Sequence, residues 1–159
     1  MKGPAPVMVG QKLPARTVGP LTQGDVVRFA GACGDFNPLH FDPDVAARAG
    51  FEKPIAMGQM TAGIVGAWVT DWCGVEELRH LEVRFLSPLA VGDTLTMTGE
   101  VRALMADADG LEFVEVSLAA HRGSTAVVTG TACVTLWEGV PSSATREAIG
   151  ELDPASTDG

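Results

Sequence analysis

Between Gln59 and Cys73 the chain reads QMTAGIVGAWVTDWC, a stretch that is apolar nearly all round and rich in small residues. At helical spacing such a segment has no broad polar face to offer water, so it must be buried on most sides. The glycines at 58, 63 and 66 cost helix propensity, which makes sense where another backbone approaches closely. The apolar run from Ile55 to Val69 is shorter than the ~20 residues needed to span a bilayer. It also contains Gln59 and is followed by Asp71. A buried central helix is the reading, and the rest of the chain has to cover it.

The cover comes next in the sequence, where the apolar period changes from helical to two. Leu81, Val83 and Phe85 alternate with His80, Glu82 and Arg84 until Ser87-Pro88 ends the strand. After a Gly92-Asp93 turn, Leu95, Met97, Gly99, Val101 and Ala103 form one face of a second strand. Asp107-Ala108-Asp109-Gly110 turns the chain again, and Val114, Val116, Leu118 and Ala120 alternate in a third. The last strand, Thr125 to Trp137, puts Ala126, Val128, Gly130, Ala132, Val134 and Leu136 on one face. A single antiparallel sheet with one face to bury, next to a helix with no broad polar face, curls around that helix. The expectation is therefore an α+β fold in one domain over residues 1–137, with a flexible tail over 138–159 that is rich in Ser, Thr, Ala, Pro and acids. Exposed sheet edges and 46% hydrophobic content point to dimerisation by joining sheets.

Upstream, Thr22 is a good cap for a helix over 23–33, with Asp25 in its first turn and Gly34 as its stop. Asp42 caps a shorter helix that opens on Pro43 and stops at Gly50. The loop from Asp35 to Phe41 is thus pinned at both ends. Within GDFNPLHFD a carboxylate (Asp35) and an imidazole (His40) lie five residues apart across an Asn37-Pro38 turn. Two readings fit those residues: an Asp/Asn-capped turn beside a surface histidine, or a general acid/base pair facing one small volume.

Composition narrows the partners. A net charge of −9 argues against nucleic acid, whose phosphates need cations. No Lys/Arg cluster offers a dock for an anionic membrane. A phosphorylated substrate would need local cations such as Arg48, Lys53, Arg79 or Arg84. Cys33, Cys73 and Cys133 show neither a disulfide framework nor metal-ligand spacing, which suggests a reducing, cytoplasmic setting. The start of the chain, Met1 to Val9, lacks the apolar run of a signal peptide. Trp68, Trp72 and Trp137 read as core or dimer contacts, and His80 and His121 as surface residues.

The stretch FAGACGDFNPLHFDPDVAARAGFEKPIAMGQMTAG, Phe29 to Gly63, resembles the signature of the MaoC-like (R)-specific enoyl-thioester hydratases and dehydratases. Similarity continues through Val83-Arg84-Phe85, Ser87-Pro88 and Val91-Gly92-Asp93-Thr94-Leu95, so it covers roughly residues 10 to 137. The resemblance implies a hot-dog fold, with the sheet wrapped around the long helix. It also implies a hydro-lyase that adds water reversibly across a trans-2-enoyl thioester of coenzyme A or an acyl carrier protein. Asp35 and His40 match the family's catalytic pair, and Asn37 matches a residue that helps to fix the loop. Gly58 matches the glycine whose backbone N–H holds the thioester oxygen as it gains negative charge. A helix N-terminus suits that task, because its dipole and free N–H groups favour an anion.

The sequence departs from the family at Met57, where histidine is usual, and at Gly66, where some members have a serine near the active site. With Asn37, these positions are the expected substrate-lining residues. The resemblance implies no cofactor or metal, and a homodimer or higher homo-oligomer, with a heterodimer as the variant. A thioesterase of the same fold, or a non-catalytic acyl-thioester-binding subunit, is the competing reading, because fold alone does not fix function. Thioesterases of this fold usually place their carboxylate on or near the central helix, where this chain offers only Gln59, Thr61, Thr70 and Asp71.

Overall fold

The computed structural model describes residues 7–107 and 110–136. The proposed tail over 138–159, Trp137, the Ala108-Asp109 turn and the first six residues therefore lie outside the described residues. The elements run β1 (Arg16–Val18), α1 (Gln23–Cys33), a 3-10 turn (Pro38–His40), α2 (Pro43–Arg48), α3 (Gly58–Cys73), β2 (Leu78–Phe85), β3 (Leu95–Ala106), β4 (Glu112–Arg122) and β5 (Thr125–Thr135). Five strands form one antiparallel sheet in the order β1-β3-β4-β5-β2. The three-residue β1 and the 3-10 turn are the two elements that hydrophobic period does not reveal. Consecutive strands are not always neighbours either: β2 pairs with β5 rather than with β3, and so occupies one edge.

The core lies between α3 and the inner face of the sheet. Val65, Trp68, Val69 and Cys73 of the helix meet Leu95, Met97, Val101, Val114, Val116, Leu118, Ala120, Val128, Ala132 and Val134. The alternation expected for the strands holds with three slips among the described residues, the first an irregularity between Leu78 and His80 of β2; Phe85, expected on the inner face of that strand, is exposed at its end. A bulge between Val101 and Ala103 shifts the inward set, so that Leu104 packs against the core. A second bulge opposite Ala120 and His121 inserts Val127, and both Val127 and Val128 are buried. The backbone N–H groups of Leu86 and Ser87 donate to the Val127 carbonyl, at 2.9 and 3.4 Å, which ties the exit of β2 to that bulge.

Helix α3 is less enclosed than its sequence suggests. One stripe of Gln59, Gly63, Ala67 and Asp71 faces outward, because the sheet covers the helix from one side only. The glycines also differ in what they make room for. A Cβ on Gly58 would meet the Phe85 ring at 3.2 Å, one on Gly66 would meet Leu81 Cδ2 at 3.3 Å, and one on Gly63 would meet nothing within 4 Å. Side chains of β2, not another backbone, require the small residues at 58 and 66. The close backbone approach occurs in the sheet, where a Cβ on Gly130 would lie 2.2 Å from the Glu82 carbonyl oxygen. The buried thiol of Cys73 is pushed up to about 11, first by burial and then by Glu77, so it is inert at neutral pH.

These contacts predict opposite outcomes for two glycine-to-alanine changes. Gly63→Ala should stabilise the fold by about 0.5–1 kcal/mol through helix propensity alone. Gly130→Ala should destabilise it by about 2 kcal/mol or more, because backbone on the paired strand must move. Urea denaturation of both variants checks this, and equal midpoints would contradict the packing described.

Candidate active site

The loop that carries Asp35 is built by its two flanking helices. Thr22 and Asp25 form a reciprocal capping box at the start of α1. Those bonds, with Thr22 as the main partner, hold the Asp25 carboxyl below its usual range. At the other end Gly34 takes a left-handed conformation (φ 72°), which a side chain would resist, and the chain turns out of the helix. The Asp35 N–H still donates to Ala30 O at 3.1 Å, so the residue is fastened to the last turn. Its Oδ1 accepts from the Asn37 N–H at 3.3 Å. Asn37 in turn caps the 3-10 turn, with its Oδ1 accepting from the Leu39 N–H at 3.0 Å. Asn37 thus acts on the loop's shape, and an Asn cap followed by Pro at the first helical position was the sequence signal for this turn. Asp42 caps α2 by accepting from the N–H groups of Asp44 and Val45.

His40 is buried, with its side chain 10% exposed, against 41% for Asp35. Three bonds hold it: its N–H donates to Asn37 O at 3.1 Å, Gln23 Nε2 donates to its carbonyl at 2.9 Å, and its Nδ1 lies 2.8 Å from the Ile55 carbonyl oxygen. A carbonyl only accepts, so Nδ1 carries the hydrogen. In the neutral ring Nε2 is therefore a bare acceptor. It faces Asp35 Oδ2 at 3.5 Å, longer than a direct hydrogen bond. Two acceptors at that separation, one on a fixed ring and one on a fixed loop, suit a single water molecule that donates to both.

Ile55 also belongs to the wall of a cavity of about 380 Å³. Its other walls include Gly58, Thr61, Phe85, Leu86, Pro88, Leu89 and Val127. Asp35 and His40 are not among its lining residues; His40 is joined to its wall through the Ile55 carbonyl, and Asp35 lies beyond the imidazole. At its edge α3 begins: Met57 is the N-cap but contributes no side-chain hydrogen bond. The first-turn N–H groups, Gly58 among them, thus have no partner within the helix. The Phe85 ring packs on Gly58 from above, a contact that no spacing in the sequence announces. Met57 is 2% exposed and sits in the core rather than on the cavity wall. Gly66 lies two turns along α3, against Leu81.

Other sequence candidates fall outside this arrangement. Cys33 is exposed, with its thiol donating to the Ala30 carbonyl at 3.7 Å. Asp71, the one acid of α3, is 60% exposed and bonds Arg16 at 2.6 Å. Trp68 is in the core, with its Nε1 donating to Pro14 O, and Trp72 packs beside it. Among the described residues no group of three or more His, Cys, Asp or Glu is placed to hold a metal. No helix among them is long and apolar enough to cross a membrane.

Known proteins resemble this chain in sequence and in fold. A family profile described as "MaoC like domain" matches residues 5–123. The (R)-specific enoyl-CoA hydratase of Aeromonas caviae is 37% identical over 101 residues, covering 62% of this chain and 74% of that protein. The peroxisomal multifunctional enzyme type 2 of Mus musculus is 41% identical over 78 residues, which is 47% of this chain but 10% of that much longer protein. Among solved structures, the (R)-hydratase from A. caviae superposes with a TM-score of 0.72 at 30% identity, covering 82% of this chain and 98% of that one. A chain of the ChsH1-ChsH2 complex from Mycobacterium tuberculosis gives 0.71 at 27% identity, over 82% and 98%. The sheet and its central helix are the hot-dog fold, and the profile match covers well over half of the sequence. This chain belongs to the MaoC-like domain family.

Proposed function

We propose that the protein is a hydro-lyase that reversibly adds water across a trans-2-enoyl thioester, carried by coenzyme A or an acyl carrier protein, to give the (R)-3-hydroxyacyl thioester. The observation that carries this reading is the Asp35–His40 pair, with its second imidazole nitrogen already committed to Ile55. The hydratase relatives support the substrate class.

A water donating to Nε2 and to Asp35 Oδ2 presents its lone pair to Cβ of the bound enoyl group. As the O–Cβ bond forms, the water proton passes to the pair and the π electrons move toward the thioester oxygen. The Gly58 N–H, at the positive end of α3, receives that negative charge. The pair then returns one proton to Cα, so the water ends divided between Cβ and Cα and the enzyme is restored. The Nδ1–H bond to Ile55 holds the imidazole in the tautomer this requires, and Asp35 stabilises the imidazolium. The cavity walled by Phe85, Leu86, Val127 and Thr61 would seat the reacting end of the acyl thioester. Met57 and Gly66 then act behind that wall, as packing positions on which its shape depends.

The same reading extends to a second copy of the chain. Among the described residues β2 pairs with β5 alone, and its other edge has no strand partner. Phe36, Phe41, Phe85 and Leu86 are exposed at 68, 42, 50 and 51% beside the site. Pairing at that edge would cover apolar surface and shield the site from bulk water. Sedimentation equilibrium should give a dimer or larger; a monomer at micromolar concentration would remove this part.

Asp35→Asn should lower kcat/KM for crotonyl-CoA hydration by about 10²–10⁴ while leaving the melting temperature essentially unchanged. The hydroxyacyl product is followed by mass spectrometry. An unchanged rate, or release of free thiol in place of hydration, would overturn the assignment.

Gly58 offers a sharper test, because proline is tolerated at the first position of a helix and removes only the donor. Met57 is already extended (φ −65°, ψ 145°), as a residue before proline must be. In a Phe85→Ala background, which clears the ring from this position, Gly58→Pro should lose about 10²–10³ in kcat relative to Gly58→Ala. Equal rates in those two variants would remove the oxyanion role from this N–H.

A further inference from the structure

A second cavity of about 370 Å³ adjoins the first, and Ile55 and Pro88 belong to the walls of both. Its character is different. Lys53 and Arg122 line it together with Asp93 and Glu52. Asp93 is already satisfied: Arg122 Nη1 donates to its Oδ2 at 2.8 Å, and so does the Ala90 N–H. Lys53 has no ion pair among the described residues, and its ammonium lies over the Gly92 turn, 3.3 Å from where a Cβ there would stand. Gly92, at φ +94°, leaves room for it. In a chain of net charge −9, the two cations of the cleft balance its two acids, so an anion meets less repulsion there than over the rest of the surface, and with Arg122 paired to Asp93 the Lys53 ammonium is the group left to receive it.

Local pairing holds this cleft in fixed relation to Gly58. Ile55 bridges to Ala90, Ala56 N–H donates to Leu89 O at 2.7 Å, and Val91 N–H donates to Pro54 O at 3.0 Å. Residues 54–56 therefore form a short stiff ribbon with 89–91. Lys53 precedes the ribbon and Gly58 follows it. The five Cα–Cα steps from Lys53 to Gly58 span at most about 18 Å, so both lie within reach of one long, flexible arm with an anion at its far end.

We propose that this cleft binds the phosphate ester at the end of the substrate's pantetheine arm, with Lys53 as the main contact and Arg122 as its support. The proposal rests on the thioester reading of the neighbouring cavity. It commits to the phosphate shared by coenzyme A and a carrier protein's prosthetic group, and it leaves the 3′-phosphate of coenzyme A outside. Of the cations that the sequence offered for such a group, Lys53 is in the cleft, whereas Arg48, Arg79 and Arg84 do not line it.

The test compares Lys53→Gln with Arg79→Gln, which removes the same charge at the far end of β2. Four crotonyl thioesters are used: of coenzyme A, dephospho-coenzyme A, 4′-phosphopantetheine and pantetheine. Lys53→Gln should raise KM about three- to tenfold for the three phosphorylated substrates, with kcat within twofold, and leave the pantetheine ester unaffected. Arg79→Gln should change none of them. A uniform rise on all four esters, or none, overturns the proposal; a rise confined to coenzyme A overturns it in favour of the 3′-phosphate. Calorimetric titration with coenzyme A and with 4′-phosphopantetheine separates the two readings. If nothing is hydrated but both ligands bind through Lys53, the catalytic reading fails and this one stands. If hydration proceeds and Lys53 is irrelevant, only this one fails.

Discussion

The site depends on one hydrogen bond, from His40 Nδ1–H to the carbonyl of Ile55. It fixes which imidazole nitrogen is bare, turns that nitrogen toward Asp35, and joins two parts of the chain that no helix or strand connects. Without it the ring of a residue in a three-residue turn would rotate about two side-chain bonds. With it, rotation is stopped by a backbone group that is itself held in place. That carbonyl is steady because Ile55 lies in the ribbon between residues 54–56 and 89–91. One short stretch thereby sets the imidazole on one side, the start of α3 two residues beyond, and Lys53 just before.

Two positions at the mouth of the site constrain each other. Phe85 ends β2 and lies over Gly58, which begins α3. Any larger residue at 58 would push the ring, and any loss of the ring would open the helix start to solvent. An N–H group at a helix start that an aromatic ring partly covers competes with less solvent for a charge than one in open water. Val127 contributes to the same wall because a bulge turns it inward beside Val128, and the exit of β2 is bonded to that bulge. Bulges next to functional sites commonly re-aim a side chain in this way.

Much of this was legible in the sequence, and the remainder was hidden for physical reasons. The helices at 23–33 and 43–48 follow from their caps, and the strands from alternation, because these signals are local. Asp35 and His40 stood out because two helix ends pin the loop between them. Sequence could not reveal that β2 crosses to the far edge, since neighbours in a sheet are chosen by packing of the whole core. Nor could it reveal the Ile55 carbonyl as the partner of His40, because every residue has a carbonyl and none is marked by its side chain. The three-residue β1 is too short for a period to show. Met57 was expected on a pocket wall; it is 2% exposed, packs in the core and is not among the residues that wall the cavity.

The glycines of α3 show how a weak sequence signal divides into distinct causes. All three lower helix propensity, and composition alone treats them alike. In three dimensions Gly58 makes room for a ring over the helix start, and Gly66 makes room for Leu81. Gly63 lies on an outward stripe with open space around it. The first two are therefore tied to β2, an edge strand that ends on the exposed Phe85. Substitutions at 58 or 66 would act on the cavity through the position of β2, whereas Gly63 is outside that linkage. The same helix thus has one side committed to the site and one side uncommitted, and the division falls between residues only three apart.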